Sequence, residues 1–563
     1  MKNYYALLSL LMIPALSVFS QERYSDQIFT DDEIIVTSDV VYGANIRFIP
    51  PVDFESSEAQ ADVLELQTIA QTTGDYPAAY FDLADPATTV KLRALGMDVY
   101  EPDPAIDDVE ERPVILYIHT GNFLPPPTNG SPTGTKTDSL AIVTCREYAK
   151  RGFVAISMEY RLGWNPVGDA NTRRGTLLNA VYRAIQDTKE CVRYIREDAN
   201  QNGNTFAVDP NKIVLFGEGS GGYVALGYAT VDDLPAEISV PKFIDPETGS
   251  SYVIPAVVGD ENGFNGALTL YQDNGEDTEI QMTINLGGAM GDISWIEAGD
   301  APMVSFHAIR DDFAPFDDGT VVVPTTQENV VDVSGSNVFI QAANDLGNNS
   351  LFDMIPDGDP FTDQARSFYG QGPIEISNGL NVTVSENPDP EGLFPVLLPL
   401  RPFLTNIASP WQWWDPESPF AQAVVGEVGG NPITAHQASL ASNPNMSPEQ
   451  GRTYLDTIQG YSVPRIMCAL ELPGNVCTTN TEDEELLSAT NVFPNPSQYA
   501  VNIRNDEHII RRVNVMDITG RVVVQKNVND HFYTLDRGNL NDGVYLIQVV
   551  FDDTRITKKV MFN

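Results

Sequence analysis

The run Ile213-Val214-Leu215-Phe216-Gly217-Glu218-Gly219-Ser220-Gly221-Gly222 decides the fold. Its four apolar residues, two of them β-branched, read as a short buried strand. Four glycines in the next six residues make a tight turn, and Val224–Ala229 opens a helix directly behind it. The same alternation continues on both sides. Val114–Ile118, Phe153–Tyr160, Met282–Leu286 and Met303–Phe306 are further buried-strand candidates. A helical stretch lies at about 138–150, and Leu178, Val181, Ile185, Val192 and Ile195 recur at helical spacing. Strands alternating with helices predict an α/β fold with a mostly parallel central sheet and right-handed crossovers. Residues before Pro113 are expected to add an antiparallel edge.

Two stretches break the alternation and read as long insertions. Residues 232–279 are rich in Pro, Gly and Asp and suggest a hairpin-bearing insertion; residues 319–422 carry Trp411, Trp413 and Trp414 near their end. Loops of that length usually serve as lids or binding walls. For the three tryptophans, packing of a loop on the core is favoured over stacking on a ligand.

Composition narrows the function classes. The 563 residues include 33 Lys and Arg against 78 Asp and Glu, a net charge of −45. Phosphate binding needs clustered cations, so a nucleic-acid partner and an anionic membrane surface are excluded. The 42% hydrophobic content supports a sizeable core. Residues 1–20 read as a signal peptide. Lys2 precedes the apolar run Tyr4–Leu16, and Val18-Phe19-Ser20 forms a cleavage site before Gln21. No later segment approaches the length of a transmembrane span.

In an oxidising compartment the four cysteines, Cys145, Cys191, Cys468 and Cys477, suit disulfides or buried thiols. Cys468 and Cys477 are close enough to close a small loop. Cys-x-x-Cys and Cys/His clusters are missing from the sequence. The acidic clusters Asp357-Gly358-Asp359 and Asp311/Asp312/Asp317/Asp318 lack EF-hand spacing. Neither a metal nor a cofactor is expected. Gly130–Thr137 has P-loop flavour with the wrong spacing.

Charge also marks a boundary. Residues 490–563 hold nine Lys and Arg against eight Asp and Glu, a net of +1, so the preceding residues carry −46. The acidic stretch 478–489 reads as a linker between a body at 21–477 and this tail. Strand-like runs at Ala500–Ile503, Val513–Met516, Val522–Val524 and Val544–Val550, with turns at Thr519-Gly520 and Asp542-Gly543, predict a small all-β sandwich of about seven strands. The tail resembles the C-terminal sorting domain of the type IX (Por) secretion system. The resemblance rests on Val492-Phe493-Pro494-Asn495-Pro496, Asp517-Ile518-Thr519-Gly520-Arg521, Leu540-Asn541-Asp542-Gly543-Val544-Tyr545 and Lys558-Lys559-Val560. It implies export through periplasm and outer membrane, with release or surface attachment, and the type IX machinery as a partner.

The body, from about Met97 to Leu470, resembles a carboxylesterase/lipase-type α/β-hydrolase. Four segments carry that likeness. The glycine-rich turn resembles the Gly-x-Ser-x-Gly nucleophile elbow. Leu116-Tyr117-Ile118-His119-Thr120-Gly121-Asn122-Phe123 resembles the His-Gly-Gly-x oxyanion segment. Arg183-Ala184-Ile185-Gln186-Asp187, with Cys191-Val192-Arg193-Tyr194-Ile195, resembles the helix before the elbow. Ser305–Phe316 resembles the segment bearing the triad acid, where Asp311 fits and Asp312 is the fallback. Of five histidines, His436 is left by elimination as the base, standing before a final helix at 449–470 in the order Ser, Asp, His.

The elbow departs from the family pattern. When its glycines are put in register, Gly219 falls at the nucleophile position, flanked by Gly217 and Gly221, and Ser220 belongs to the first turn of the helix. Neuroligin-type relatives of carboxylesterases carry the same kind of change. Two readings stay open. In one, carboxylic esters are cleaved through an acyl-enzyme: Ser220 attacks, His436 acts as base, Asp311 orients it, and backbone N–H groups of Gly121 or Asn122 and of Ser220 hold the oxyanion. In the other, the body is an inactive surface-binding module whose donors form a carbonyl- or anion-binding nest. A third possibility is an enzyme with another nucleophile or a metal. The partner is then a small-molecule or polymeric ester, or a surface ligand.

Overall fold

The computed structural model describes residues 22–563 except 312, 324–327, 357, 377–379, 386–390, 399–407, 478–488, 506, 517–521, 539, 542 and 552–554. The expected leader, nearly all of the acidic linker, Asp312, Asp357 and the Asp517–Arg521 motif lie outside the described residues. The chain divides into two compact units, 1–475 and 476–563.

In chain order the strands of the first unit are β1 (Ile34–Ile46), β2 (Leu92–Pro102), β3 (Arg112–Ile118), β4 (Val154–Met158), β5 (Val208–Glu218), β6 (Met282–Leu286), β7 (Met303–Ala308), β8 (Asp318–Val322), β9 (Asn329–Ser334), β10 (Ile374–Glu375), β11 (Asn381–Val382), β12 (Leu393–Val396), β13 (Val424–Val428) and β14 (Asn431–Thr434). Eight of them form one sheet in the order β1-β2-β4-β3-β5-β6-β7-β12. Pairings from β4 through β3, β5, β6 and β7 to β12 are parallel. β1 and β2 supply the antiparallel edge. This is the mostly parallel sheet of an α/β-hydrolase fold. Its inner strands β3, β4, β6 and β7 are buried along their whole length, as strands covered on both faces must be.

Helices beside the sheet include α1 (Ser57–Ala70), α2 (Ser139–Lys150), α3 (Ala170–Gln201) and α4 (Ser220–Thr230). α3 buries Ala184, Ile185, Cys191, Val192 and Ile195 in the same core as the strand residues Leu116, Ile156 and Leu215. It also carries the fully buried Asp187, which receives Arg161 at 2.8 Å and the Tyr271 hydroxyl at 2.6 Å. Cys145 on α2 and Cys191 on α3 are buried free thiols, and Cys468 and Cys477 are disulfide-bonded.

The two expected insertions turn out differently. Residues 232–279 form helical turns at Leu234–Glu237 and Pro255–Val258, with one antiparallel bridge pair, Ile244 with Ser251, in place of a full hairpin. Pro235, Pro241 and Pro255 each lack the N–H that a strand ladder needs. Residues 319–422 are no simple insertion, because they contain β12, the outermost strand of the main sheet. Its Leu-Phe-Pro-Val sequence hides the strand, since proline is tolerated at a sheet edge and argues against a strand elsewhere.

Just before β12, Glu391 accepts Arg465 at 2.8 Å on one oxygen and Arg366 at 2.7 Å on the other. Arg465 lies on the last helix, Pro448–Ala469, and is fully buried. The pairing therefore ties that helix to the edge of the sheet.

The second unit holds β15 (Asn491–Phe493), β16 (Ala500–Arg504), β17 (Ile510–Met516), β18 (Val522–Asp530), β19 (Phe532–Asp536), β20 (Gly543–Val550) and β21 (Arg555–Phe562). They form antiparallel sheets β15-β16-β19 and β18-β17-β20-β21. Val501, Ile503 and Leu535 from one sheet share a core with Val513, Val515, Ile547 and Val549 from the other. The tail is thus a small β-sandwich.

Removing Glu391 should be costly, because it strands the buried Arg465 guanidinium without a counter-charge. Glu391→Ala is expected to lower the unfolding free energy by about 3–5 kcal/mol, read from urea denaturation of wild type and variant.

Candidate active site

The elbow between β5 and α4 is fixed by clearance. A Cβ at Gly217 would lie 2.2 Å from the Gly221 carbonyl oxygen, and one at Gly221 would lie 2.0 Å from the Ile118 oxygen. Both positions therefore exclude any side chain, which puts residue 219 at the apex. Gly219 has φ 53° and ψ −115° and caps α4, whose first residue is Ser220. Side chains rarely adopt that backbone conformation, and glycine does so at little cost.

The volume that a side chain at 219 would need is already taken. A Cβ there would meet Thr120 Oγ1 at 2.2 Å and Thr120 Cβ at 3.1 Å. Thr120 stands where the His-Gly-Gly-x pattern has its first glycine. The two departures from the family pattern, glycine at 219 and threonine at 120, thus occupy the same space.

Ser220 is nearly buried, and its hydroxyl is committed within the protein. Oγ accepts the Asn122 N–H at 3.1 Å and lies 3.1 Å from the Tyr160 hydroxyl. Tyr160 in turn donates to the His119 carbonyl at 2.9 Å. With that proton assigned, the Ser220 proton points to the Tyr160 oxygen. The hydroxyl thereby occupies one expected oxyanion donor, Asn122. The backbone N–H groups of Gly121 and Ser220 have no protein acceptor among the described residues. His119 stacks on Tyr160 at 4.4 Å, and burial holds its imidazole down at about 4, hence neutral.

The other expected triad members, Asp311 and His436, make the following contacts. Asp311 Oδ1 accepts the N–H groups of Phe313 and Ala314 at 2.8 and 3.0 Å. His436 sits on the short helix Ala435–Ser439, and its Nδ1 accepts the Trp414 indole N–H at 3.1 Å. Among the described residues no hydrogen bond joins His436 to Asp311 or to Ser220. The region near Asp311 instead holds an aromatic ring. A Cβ at Gly287 would meet both Trp411 Cζ2, at 3.1 Å, and Asp311 Oδ2, at 3.9 Å. Trp411 is fully buried and its indole nitrogen has no partner.

A cavity of about 430 Å³ opens over the elbow. Thr120, Gly121, Gly219, Ser220 and Asp311 line its floor; Leu177, Val181, Phe243, Trp295, Val331 and Trp414 form apolar walls. The hairpin β13–β14 contributes Val425, Val428 and Ile433 to the rim. The Tyr223 hydroxyl is buried at the same cavity without a partner, and burial together with the Asp311 charge pushes its pKa well up. Behind the elbow, Glu218 accepts the Tyr117 hydroxyl and the Gln412 amide, each at 2.6 Å. Sequence reading gave Thr120, Tyr160, Tyr223 and Gln412 no role. The one signal available was the missing glycine at 120.

Comparisons with known proteins give two family matches. Residues 97–323 match the BD-FAE family, and residues 491–563 match the secretion system C-terminal sorting domain, Por_Secre_tail. The body is thus similar to esterase-like α/β-hydrolases, and the tail to Por sorting domains. Secreted lipase 5 of Gibberella zeae is 25% identical over 243 residues, which is 39% of this chain and 42% of that protein. The aligned part of the chain therefore spans less than half of that relative. Among solved structures, a thermophilic esterase of Thermogutta terrifontis with propionate bound is 19% identical. That match covers 42% of this chain and 72% of the other, with a TM-score of 0.26. An α/β-hydrolase enzyme from a Medee basin deep-sea metagenome is 14% identical over 39% and 66%, with a TM-score of 0.21. The Por tail marks the esterase-like body for type IX export, to the cell surface or the medium. No helix among the described residues is long and apolar enough to cross a membrane.

Glu218 gives the elbow a pH dependence. Burial pushes its carboxyl up to about 7, with the Tyr117 and Gln412 hydrogen bonds pulling the other way. The folded protein then binds the Glu218 proton more tightly than the unfolded chain between pH 4.5 and 7, so this group's contribution falls as pH rises through that window. Glu218→Gln is expected to flatten the stability profile between those limits by up to about 3 kcal/mol, measured by denaturant titrations of both proteins across the window.

Proposed function

We propose that the esterase-like body binds ester-class ligands in its elbow cavity without hydrolysing them. The observation that carries this reading is the backbone of Gly219. The apex that should present a nucleophile has no side chain, and Thr120 fills the place where one would go. The neighbouring hydroxyl of Ser220 is held by Asn122 and Tyr160. A serine hydroxyl is a poor nucleophile until a base removes its proton, and the His436 imidazole is turned to Trp414 instead. The donors Gly121 N–H and Ser220 N–H remain available to a carbonyl oxygen. Export by the type IX route would deliver this binding surface to the outside of the cell.

The rival reading keeps Ser220 as nucleophile, His436 as base and Asp311 as its orienting acid. It requires Ser220 to leave both of its partners and His436 to leave Trp414. Exposure to a fluorophosphonate probe and to p-nitrophenyl acetate, beside a Ser220→Ala variant, separates the two. The expected outcome is no labelling of folded wild type and turnover matched within about twofold by the variant. A working serine nucleophile would lose roughly 10⁴–10⁶-fold on that substitution, and labelling lost with Ser220 would overturn the proposal.

A further inference from the structure

Thr120 Oγ1 has no hydrogen-bond partner among the described residues, and Thr120 lines the cavity together with Gly121 and Ser220, whose N–H groups are equally unpartnered there. It also stands 2.2 Å from the point where a side chain would leave residue 219. We propose that Thr120 replaces the lost elbow side chain as a ligand-binding group: its hydroxyl donates to a neutral, apolar ester whose carbonyl also faces the Gly121 and Ser220 N–H groups. This rests on the non-hydrolysing reading of the same site.

The chemistry of the cavity selects the charge of the ligand. Asp311 and Glu427 line it, and among the described residues neither Lys, Arg nor His does. A free carboxylate entering the cavity would approach the Asp311 and Glu427 carboxylates, and no described lining residue is a cation that would attract it. An intact ester brings the same carbonyl acceptor without the charge. The apolar walls take its hydrocarbon parts, and the donors at the floor fix its orientation. The site therefore prefers esters to the acids that their hydrolysis would release.

The Thr120–Gly219 contact also has an energetic signature. Gly219→Ser alone must force its Cβ against Thr120, whereas Thr120→Gly alone removes packing from the floor. Together the two substitutions relieve each other's defect, so their effects on stability should be strongly non-additive.

The test uses the full chain with methyl octanoate and ethyl benzoate as neutral probes and octanoate and benzoate as their acids, at pH 8. Binding is followed by calorimetry and by fluorescence of Trp164, Trp295 and Trp414, which line the cavity. Wild type is expected to bind the esters about tenfold or more tightly than the acids. Thr120→Val, which keeps the shape and removes the hydroxyl, should weaken ester binding about three- to tenfold, and Thr120→Ser should retain it. Equal affinity in Thr120→Val, or acids bound as well as esters, or no ester binding by wild type, overturns the proposal. In parallel, urea titrations of Gly219→Ser, Thr120→Gly and the double variant should show the double variant more stable than Gly219→Ser; additive effects overturn the shared-space argument. Ester turnover that Ser220→Ala abolishes sinks the non-hydrolysing reading alone, whereas unchanged affinity in Thr120→Val sinks the Thr120 assignment alone.

Discussion

Close approach of backbone to backbone at the end of β5 governs this protein's chemistry. Gly221 passes so near the Ile118 carbonyl that even a methyl group would overlap it, and Gly217 faces Gly221 in the same way. Of the three residues between these two positions, Gly219 takes the positive φ of the turn. The helix must start at Ser220, and the direction of that side chain follows from its place in the first turn. Backbone packing between β3 and α4 thus determines which residue can face the cavity and which cannot.

From this junction the polar network spreads in two directions. On the cavity side, Ser220, Asn122, Tyr160 and the His119 carbonyl form a closed set in which each hydroxyl proton has an acceptor. Such a set is stable because each of its hydroxyl groups is satisfied. On the far side, Glu218 is held by Tyr117 from β3 and by Gln412 from the segment after β12. The elbow is therefore braced from both ends of the sheet's carboxyl edge, and the loop bearing Trp411 and Trp414 is part of that brace.

Much of the architecture could be read from short patterns. The parallel strands β3 to β7 announce themselves as apolar β-branched runs, and the tail does so through its alternation and turn pairs. β12 escaped because a proline sits in its middle and because the long stretch before it lacks regular periodicity. At the site, the glycine spacing pointed to Gly219, the residue with the positive φ between the two crowded glycines. The role of Thr120 was not legible, since it depends on a contact between residues 99 positions apart in the chain. The Trp414 contact of His436 was equally hidden, because elimination among five histidines says nothing about where a loop carries the survivor.

The overlap of Thr120 with the space above Gly219 makes substitutions at the two positions interdependent. A hydroxymethyl at 219 meets a steric barrier while the threonine remains, and a smaller residue at 120 opens a hole while the glycine remains. Each single step back passes through a poorer protein, although the sum of both need not. Residues 120 and 219 are therefore coupled: the side chain tolerated at one depends on the side chain present at the other.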